Sequence, residues 1–236
     1  MSLSLARLLC RSALRPRACL KAPLSPLHRL KSTLTTVRAD PSANREVPTP
    51  IVLLSVAAFG DEAASVKWKS SVAHLSRQGY ESLLLDLDLP SSSQSKGSVL
   101  DRCEAEMSST IRSAAPFPPV LLCKGVSALV GQQYASSHPL TALMLVNPPI
   151  SVAAARSSHP EIGLEERTPE FDFEARFPCK VAWTQDEIDQ HEQELPLHRI
   201  EEELMDEGEQ EGRLVWRDDE EANREIQQWL EEDCGV

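Results

Sequence analysis

The residues whose types and spacing could do chemistry centre on Pro119–Tyr134, PVLLCKGVSALVGQQY, the stretch that organises the chain. A short apolar run, Val120–Cys123, leads into Gly125-Val126-Ser127 and then into an apolar helical start. That is the pattern of strand, tight turn and helix, with a serine at the apex. A serine so placed has two readings. It can be a nucleophile, which needs a histidine to take its proton, a carboxylate to orient the histidine, and backbone N–H groups for the oxyanion. It can equally be a helix N-cap, accepting a backbone N–H in the first turn.

The remaining reactive side chains are scattered. Four cysteines lie beyond residue 38, at 103, 123, 179 and 234, with no C-x-x-C spacing, so neither a zinc site nor a disulfide framework is suggested. Cys123 sits in an apolar run and reads as a small core residue. His74, His138 and His159 read as surface or loop residues. No phosphate-binding glycine loop, dinucleotide fingerprint or metal-ligand cluster is present, so no cofactor and no metal is expected.

Charge divides the chain. Residues 1–38 hold eight Arg or Lys and no Asp or Glu. Residues 39–236 hold 16 basic and 36 acidic side chains. A body that acidic repels phosphate backbones, which argues against a nucleic-acid partner. The first 38 residues space arginines through Leu, Ala and Ser without one compact apolar block, the composition of a mitochondrial transit peptide. The expected place of the protein is therefore the mitochondrion, most simply its matrix, with cleavage between Leu30 and Ala39. No apolar run approaches the ~20 residues needed to span a bilayer, so no transmembrane segment is expected. Glu201–Asp233, with 15 acids against three arginines, reads as a solvated face, or as a docking surface for a basic partner.

The elements that must position Ser127 follow from periodicity. Residues 39–49 are a polar linker, and 50–233 form one domain. Strands are expected at Ile51–Ser55, Ser82–Asp86, Val120–Cys123, Thr141–Val146, Lys180–Thr184 and Arg213–Trp216. Helices are expected over Asp61–Gly79, Ser98–Ala114, Ser127–Ser136 and Asp219–Glu232, with His191–Gln210 a further acidic candidate. Ser151–Pro178 reads as an irregular, lid-like insertion. The strands are continuous apolar runs alternating with helices, which predicts a doubly wound, mostly parallel α/β sheet of about six strands. Ligands of such sheets sit beyond the carboxyl ends of the strands.

In element order, Pro50–Leu230 resembles the α/β-hydrolase family. Ile51–Ser55 with Trp68 is similar to its third strand and first helix, and Arg77–Leu89 to the segment that follows. Cys123–Ser127 is similar to its nucleophile elbow, Val181–Glu187 to its acid-bearing strand, and Asp219–Leu230 to its last helix. The resemblance implies Ser127 as nucleophile, Asp186 or Glu187 as the acid, and backbone donors at Val56 and Ala128 for the oxyanion. It also exposes departures. Leu129 stands where the elbow has its second glycine, and Ser55-Val56 replaces the oxyanion-loop His-Gly. The connection Arg217-Asp218-Asp219 has no histidine, leaving His191 and His198 as the candidates for the base. The family's first two antiparallel strands have no room beside the presequence. Three losses in one mechanism favour a degenerate fold that binds or assembles a mitochondrial partner. The alternative is an esterase or thioesterase that attacks a small acyl substrate through Ser127.

Overall fold

The computed structural model describes residues 32–89, 97–174, 176–190, 195–206, 208, 214–217 and 220–236. Seven strands form one sheet: β1 (Thr33–Val37), β2 (Val47–Val56), β3 (Tyr80–Leu87), β4 (Val120–Lys124), β5 (Ala142–Val146), β6 (Cys179–Thr184) and β7 (Leu214–Trp216). Their order across the sheet is β1-β3-β2-β4-β5-β6-β7. All neighbours are parallel except β1, which runs antiparallel along β3 from Thr33↔Asp86 to Val37↔Ser82. The sheet therefore has one strand more than expected, and that strand lies inside the basic segment 1–38. A domain boundary at residue 38 would separate β1 from the sheet it pairs with.

The buried strands show why uninterrupted apolar runs were needed. Ile51–Val56, Val120–Cys123 and the whole of β5 are buried, and alternate residues feed opposite faces. Val52, Leu54, Leu121, Cys123, Leu143 and Leu145 join one core. Ile51, Leu53, Val120, Leu122, Ala142 and Met144 join the other. The first core is covered by α3 (Val99–Ala114), α4 (Ala128–Ala135), α5 (Val152–Ser158) and α7 (Arg199–Asp206). The second is covered by α1 (Ala64–Lys67), α2 (Lys69–Arg77) and α8 (Glu220–Glu232). A short helix α6 (Gln185–Gln190) follows β6.

Two expected elements differ. The helix over 61–79 is broken at Trp68, whose φ of −116° interrupts it between α1 and α2. The indole explains the break: its Nε1–H donates to Leu54 O at 3.2 Å, pinning the side chain under β2. The insertion 151–178 is not wholly irregular, because it contains α5 and a 3-10 turn at Pro160–Ile162. Ser151 Oγ accepts from Ala154 N, and the Glu170 carboxylate accepts from Val152 N and Ala153 N. A carboxylate arriving from 17–18 residues downstream is a long-range cap that local sequence does not display.

The chain reverses direction across the sheet between β2 and β4. Both neighbours of that pair are reached by outward winding, so a crevice opens beyond their carboxyl ends. Helix α4 reaches β4 closely through Gly131: a Cβ there would lie 2.6 Å from Cys123 Sγ. Gly131→Ala should lower stability by roughly 1–3 kcal/mol through overpacking. Denaturant unfolding should show most of that loss recovered in the Cys123→Ala background; equal losses in both backgrounds would refute this contact as the cause.

Candidate functional site

The crevice is built by the ends of β2, β4, β5 and β6. Strand β4 stops at Lys124, and the next residue, Gly125, turns the chain with φ +69°. Nothing lies within 4 Å of a Cβ placed on Gly125, so the apex faces open space. Gly125–Ser127 form a 3-10 turn, and α4 begins at Ala128.

Ser127 is therefore two residues past the apex and fully buried, with 0% of its surface exposed. Its Oγ–H donates to Lys124 O at 2.9 Å, back across the turn. It makes no side-chain cap bond to α4. Neither of the roles expected for Ser127 matches this position: the hydroxyl closes the turn internally. The small side chains of Cys123 and Ser127 flank the apex at two residues on either side, while Gly125 itself has no nucleophilic atom. The close helix–strand approach expected from a glycine at position 129 is made instead at Gly131, and Leu129 is buried in the core.

The polar centre of the crevice is a pair that periodicity did not single out, Asp61 and Lys67. Lys67 Nζ donates to Lys124 O at 2.6 Å and to Ser127 Oγ at 3.2 Å, and pairs with Asp61 Oδ2 at 2.9 Å. Burial pushes the Lys67 pKa down, and the Asp61 charge opposes that shift. The three contacts match the three protons of an ammonium, so Lys67 offers no lone pair to Ser127 in this arrangement.

The expected oxyanion donors are engaged elsewhere. Val56 N donates to Asp61 Oδ2 at 3.0 Å, so an internal carboxylate already takes that N–H. Ala128 N donates to Gly125 O and Val126 O within the helix start. Ser55 Oγ fastens the same loop by donating to Glu62 O at 2.5 Å.

The other expected residues are dispersed. Asp186 is exposed on α6, and Glu187 lines the crevice. His198 is buried at the start of α7, where Ile200 N donates to its Nδ1 at 3.3 Å. It lines a different cavity from the one at Gly125. His191 lies outside the described residues. Asp186, Glu187 and His198 are thus not brought onto Ser127. Of the other histidines, His74 is buried rather than exposed and its Nε2 bonds Gln227 Oε1 at 2.9 Å. His138 stacks on Tyr134 and its Nε2 bonds Ser108 Oγ at 2.8 Å. His159 lies at the edge of the crevice beside Glu161.

The cavity in this crevice has a volume of about 840 Å³. Gly60, Asp61, Lys67 and Lys124 line one side, and Pro149, Ile150, Ala155 and Trp183 supply apolar wall. Asn147, at φ +48°, shapes the rim: its Oδ1 accepts from Thr184 N at 2.7 Å and its Nδ2 donates to Thr184 Oγ1 at 2.9 Å. Among the described residues, no group of three or more His, Cys, Asp or Glu is placed to hold a metal ion.

The sequence matches no protein-family model and no curated protein. Solved structures do match. One is MGS-MChE2, an alpha/beta hydrolase enzyme from the metagenome of lagoon sediments at Mar Chica, Morocco, with a TM-score of 0.53 and 13% identity. It is matched over 84% of this chain and 95% of its own. The fold is that of the α/β-hydrolases. A protein of unknown function from Staphylococcus aureus superposes with a TM-score of 0.56 at 10% identity, over 86% of this chain and 95% of its own. At such identities the likeness carries the architecture and leaves the chemistry to the residues present.

In an α/β-hydrolase elbow the nucleophile stands on the strained turn itself, exposed above the sheet. Gly125 holds that place here. The signal was available in the sequence: a glycine at the end of an apolar run marks the turn, and the serine two positions later closes that turn just before the helix begins.

Proposed function

We propose that this protein is a non-catalytic α/β-hydrolase-fold protein that binds a ligand or a protein partner in the mitochondrion, most simply the matrix. The observation that carries this reading is Gly125 at the apex, with open space above it and no side chain to attack a substrate. The commitment of Val56 N–H to Asp61 supports it, because an oxyanion would have to displace an internal carboxylate. The acid-free, arginine-spaced segment 1–38 supports the location.

The second reading, a serine esterase or thioesterase on a small acyl substrate, draws on the 3.2 Å contact between Lys67 and Ser127. A neutral lysine there would be a base for the serine. The ion pair to Asp61 and the bond to Lys124 O keep it an ammonium, and Ser127 has no exposed surface from which to meet an acyl carbon.

Import into isolated mitochondria, followed by treatment with a fluorophosphonate probe, tests both parts. The expected result is a shortened product that begins before Thr33, retains β1, and takes up no probe while folded. Labelling that disappears in Ser127→Ala would overturn the non-catalytic reading. A chain left outside the organelle at full length would overturn the location.

A further inference from the structure

The way the chain enters the sheet brings a further segment to the crevice at Gly125. Thr33 pairs with Asp86 across β1 and β3, and Asp86 pairs with Ser55 across β3 and β2. These three residues form one row at the carboxyl end of the parallel strands. Neighbouring strands lie about 4.8 Å apart, so Thr33 is about 10 Å from Ser55. Ser32 is held at that end: its Oγ donates to Asp88 O at 3.4 Å and accepts from Asp88 N at 3.2 Å. The 31 residues before it therefore join the fold beside the crevice, whose wall begins at Phe59. Phe117, just before β4, lies at the opposite end of the sheet.

Crevice and segment are complementary. Val66, in the crevice lining, is 59% exposed, an apolar side chain left uncovered by the described residues. Phe59, Pro149, Ile150 and Leu195 continue the apolar wall. Between Ser32 and the crevice stand Asp88 and Asp86, and Glu62 and Glu187 line the crevice itself. Of the two lysines in the lining, Lys67 is matched by Asp61, which leaves Lys124 against those four carboxylates. Residues 20–31, LKAPLSPLHRLK, hold Leu20, Leu24, Leu27 and Leu30, with Lys21, Arg29 and Lys31 and no acid. An extended residue covers about 3.3 Å, so residues 29–31 suffice to cross to β2, and 24–28 to span the strand ends from β2 to β6. Gly125, with nothing within 4 Å of its Cβ position, lets a peptide backbone pass close over the end of β4.

We propose that the occupant of this crevice in the uncut chain is the chain's own segment 20–31. Arg29 and Lys31 pass the carboxylates of Asp86, Asp88 and Glu62, while Leu24 and Leu27 rest on the apolar wall around Val66 and Ile150. Cleavage between this segment and β1 opens the same surface to a partner. The inference rests on the reading of the crevice as a binding surface and not an active site.

The test uses the purified full chain with p-benzoylphenylalanine in place of Val66, irradiated and then digested for mass spectrometry. The expected product is an intramolecular crosslink to residues 20–31. The same photoprobe in place of Phe117, which is 57% exposed at the other end of the sheet, should not form it. Leu24→Asp/Leu27→Asp, a change upstream of β1, should lower the Val66 crosslink about fivefold or more, through the loss of two partly buried leucines. No crosslink from Val66 to residues 20–31, equal yields from the two positions, or a yield unchanged in the leucine variant would each overturn the inference. A crosslinked species of twice the mass would also overturn it, by placing a second copy in the crevice. Failure here leaves the non-catalytic reading standing, because that reading is tested at Ser127 with the fluorophosphonate probe.

Discussion

Lys67→Met should lower the unfolding free energy by roughly 3 kcal/mol, because removing one partner of a buried ion pair strands the other. Asp61 would keep one hydrogen bond, from Val56 N, while losing its cation. Lys124 O would lose the Nζ donor and retain Ser127 Oγ–H. Both side chains of the pair are nearly enclosed, at 10% and 14% exposed, so solvent does little to soften the loss. Asp61→Asn should cost less, since the amide can still accept from Val56 N. The double variant Lys67→Met/Asp61→Asn should recover part of the loss. Chemical denaturation of the four proteins gives the coupling directly. Additive losses would show that the pair contributes no interaction energy, and the crevice would then be held by the backbone alone.

The second large effect is set by pH. Burial, with a smaller push from Arg199, lowers the His198 pKa from its ordinary 6.5 to about 4. The folded state thus holds the ring neutral while the unfolded chain takes up a proton below pH 6.5. Stability from this group is complete above that value and is lost as the pH falls from 6.5 towards 4. The full difference corresponds to about 3 kcal/mol. Carboxylates titrate in the lower part of the same window, so the expected observation is a difference between proteins. The native chain should lose stability more steeply than His198→Asn between pH 6.5 and 4, when thermal unfolding is followed across that range. Parallel profiles would mean that His198 is protonated in the folded protein.

Much of the fold was legible because it rests on local pattern. The continuous apolar runs at Ile51–Ser55, Val120–Cys123 and Thr141–Val146 announced strands covered on both faces, and those strands form the centre of the sheet. Strand β1 was hidden because its residues, TLTTV, are only partly buried along an edge and follow a run of arginines. Composition there spoke for targeting, and pairing with Ser82–Asp86 is visible only in three dimensions. The break at Trp68 was masked for a related reason: its place in the apolar stripe predicts an unbroken helix, whereas its indole bond to Leu54 fixes the chain otherwise.

The site was less legible. Asp61 and Lys67 are six residues apart on a loop and a one-turn helix, and nothing in that spacing indicates that they meet over the end of β4. The pattern placed Ser127 at the apex of the turn, whereas Gly125 takes the positive φ, and those two positions decide between an exposed hydroxyl and a buried one. His198 and Gln132 lie 66 positions apart in the sequence, and nothing in that spacing indicates that both line one cavity. Sequence periodicity locates faces; it does not say which polar groups from distant elements meet behind them.

Strand β1 also bears on the import and cleavage proposed for this chain. It is an edge strand paired with β3 through the main chain, and it lies inside the basic segment 1–38. A protease that cut a few residues too far would leave β3 with an open row of N–H and C=O groups along Ser82–Asp86. Such an edge is a template for another chain, and the over-trimmed product would be prone to self-association even with its core intact. On the proposed mitochondrial reading, the position of one peptide-bond cleavage would decide whether that edge stays covered, so accurate cleavage would matter to this fold alongside its hydrophobic core.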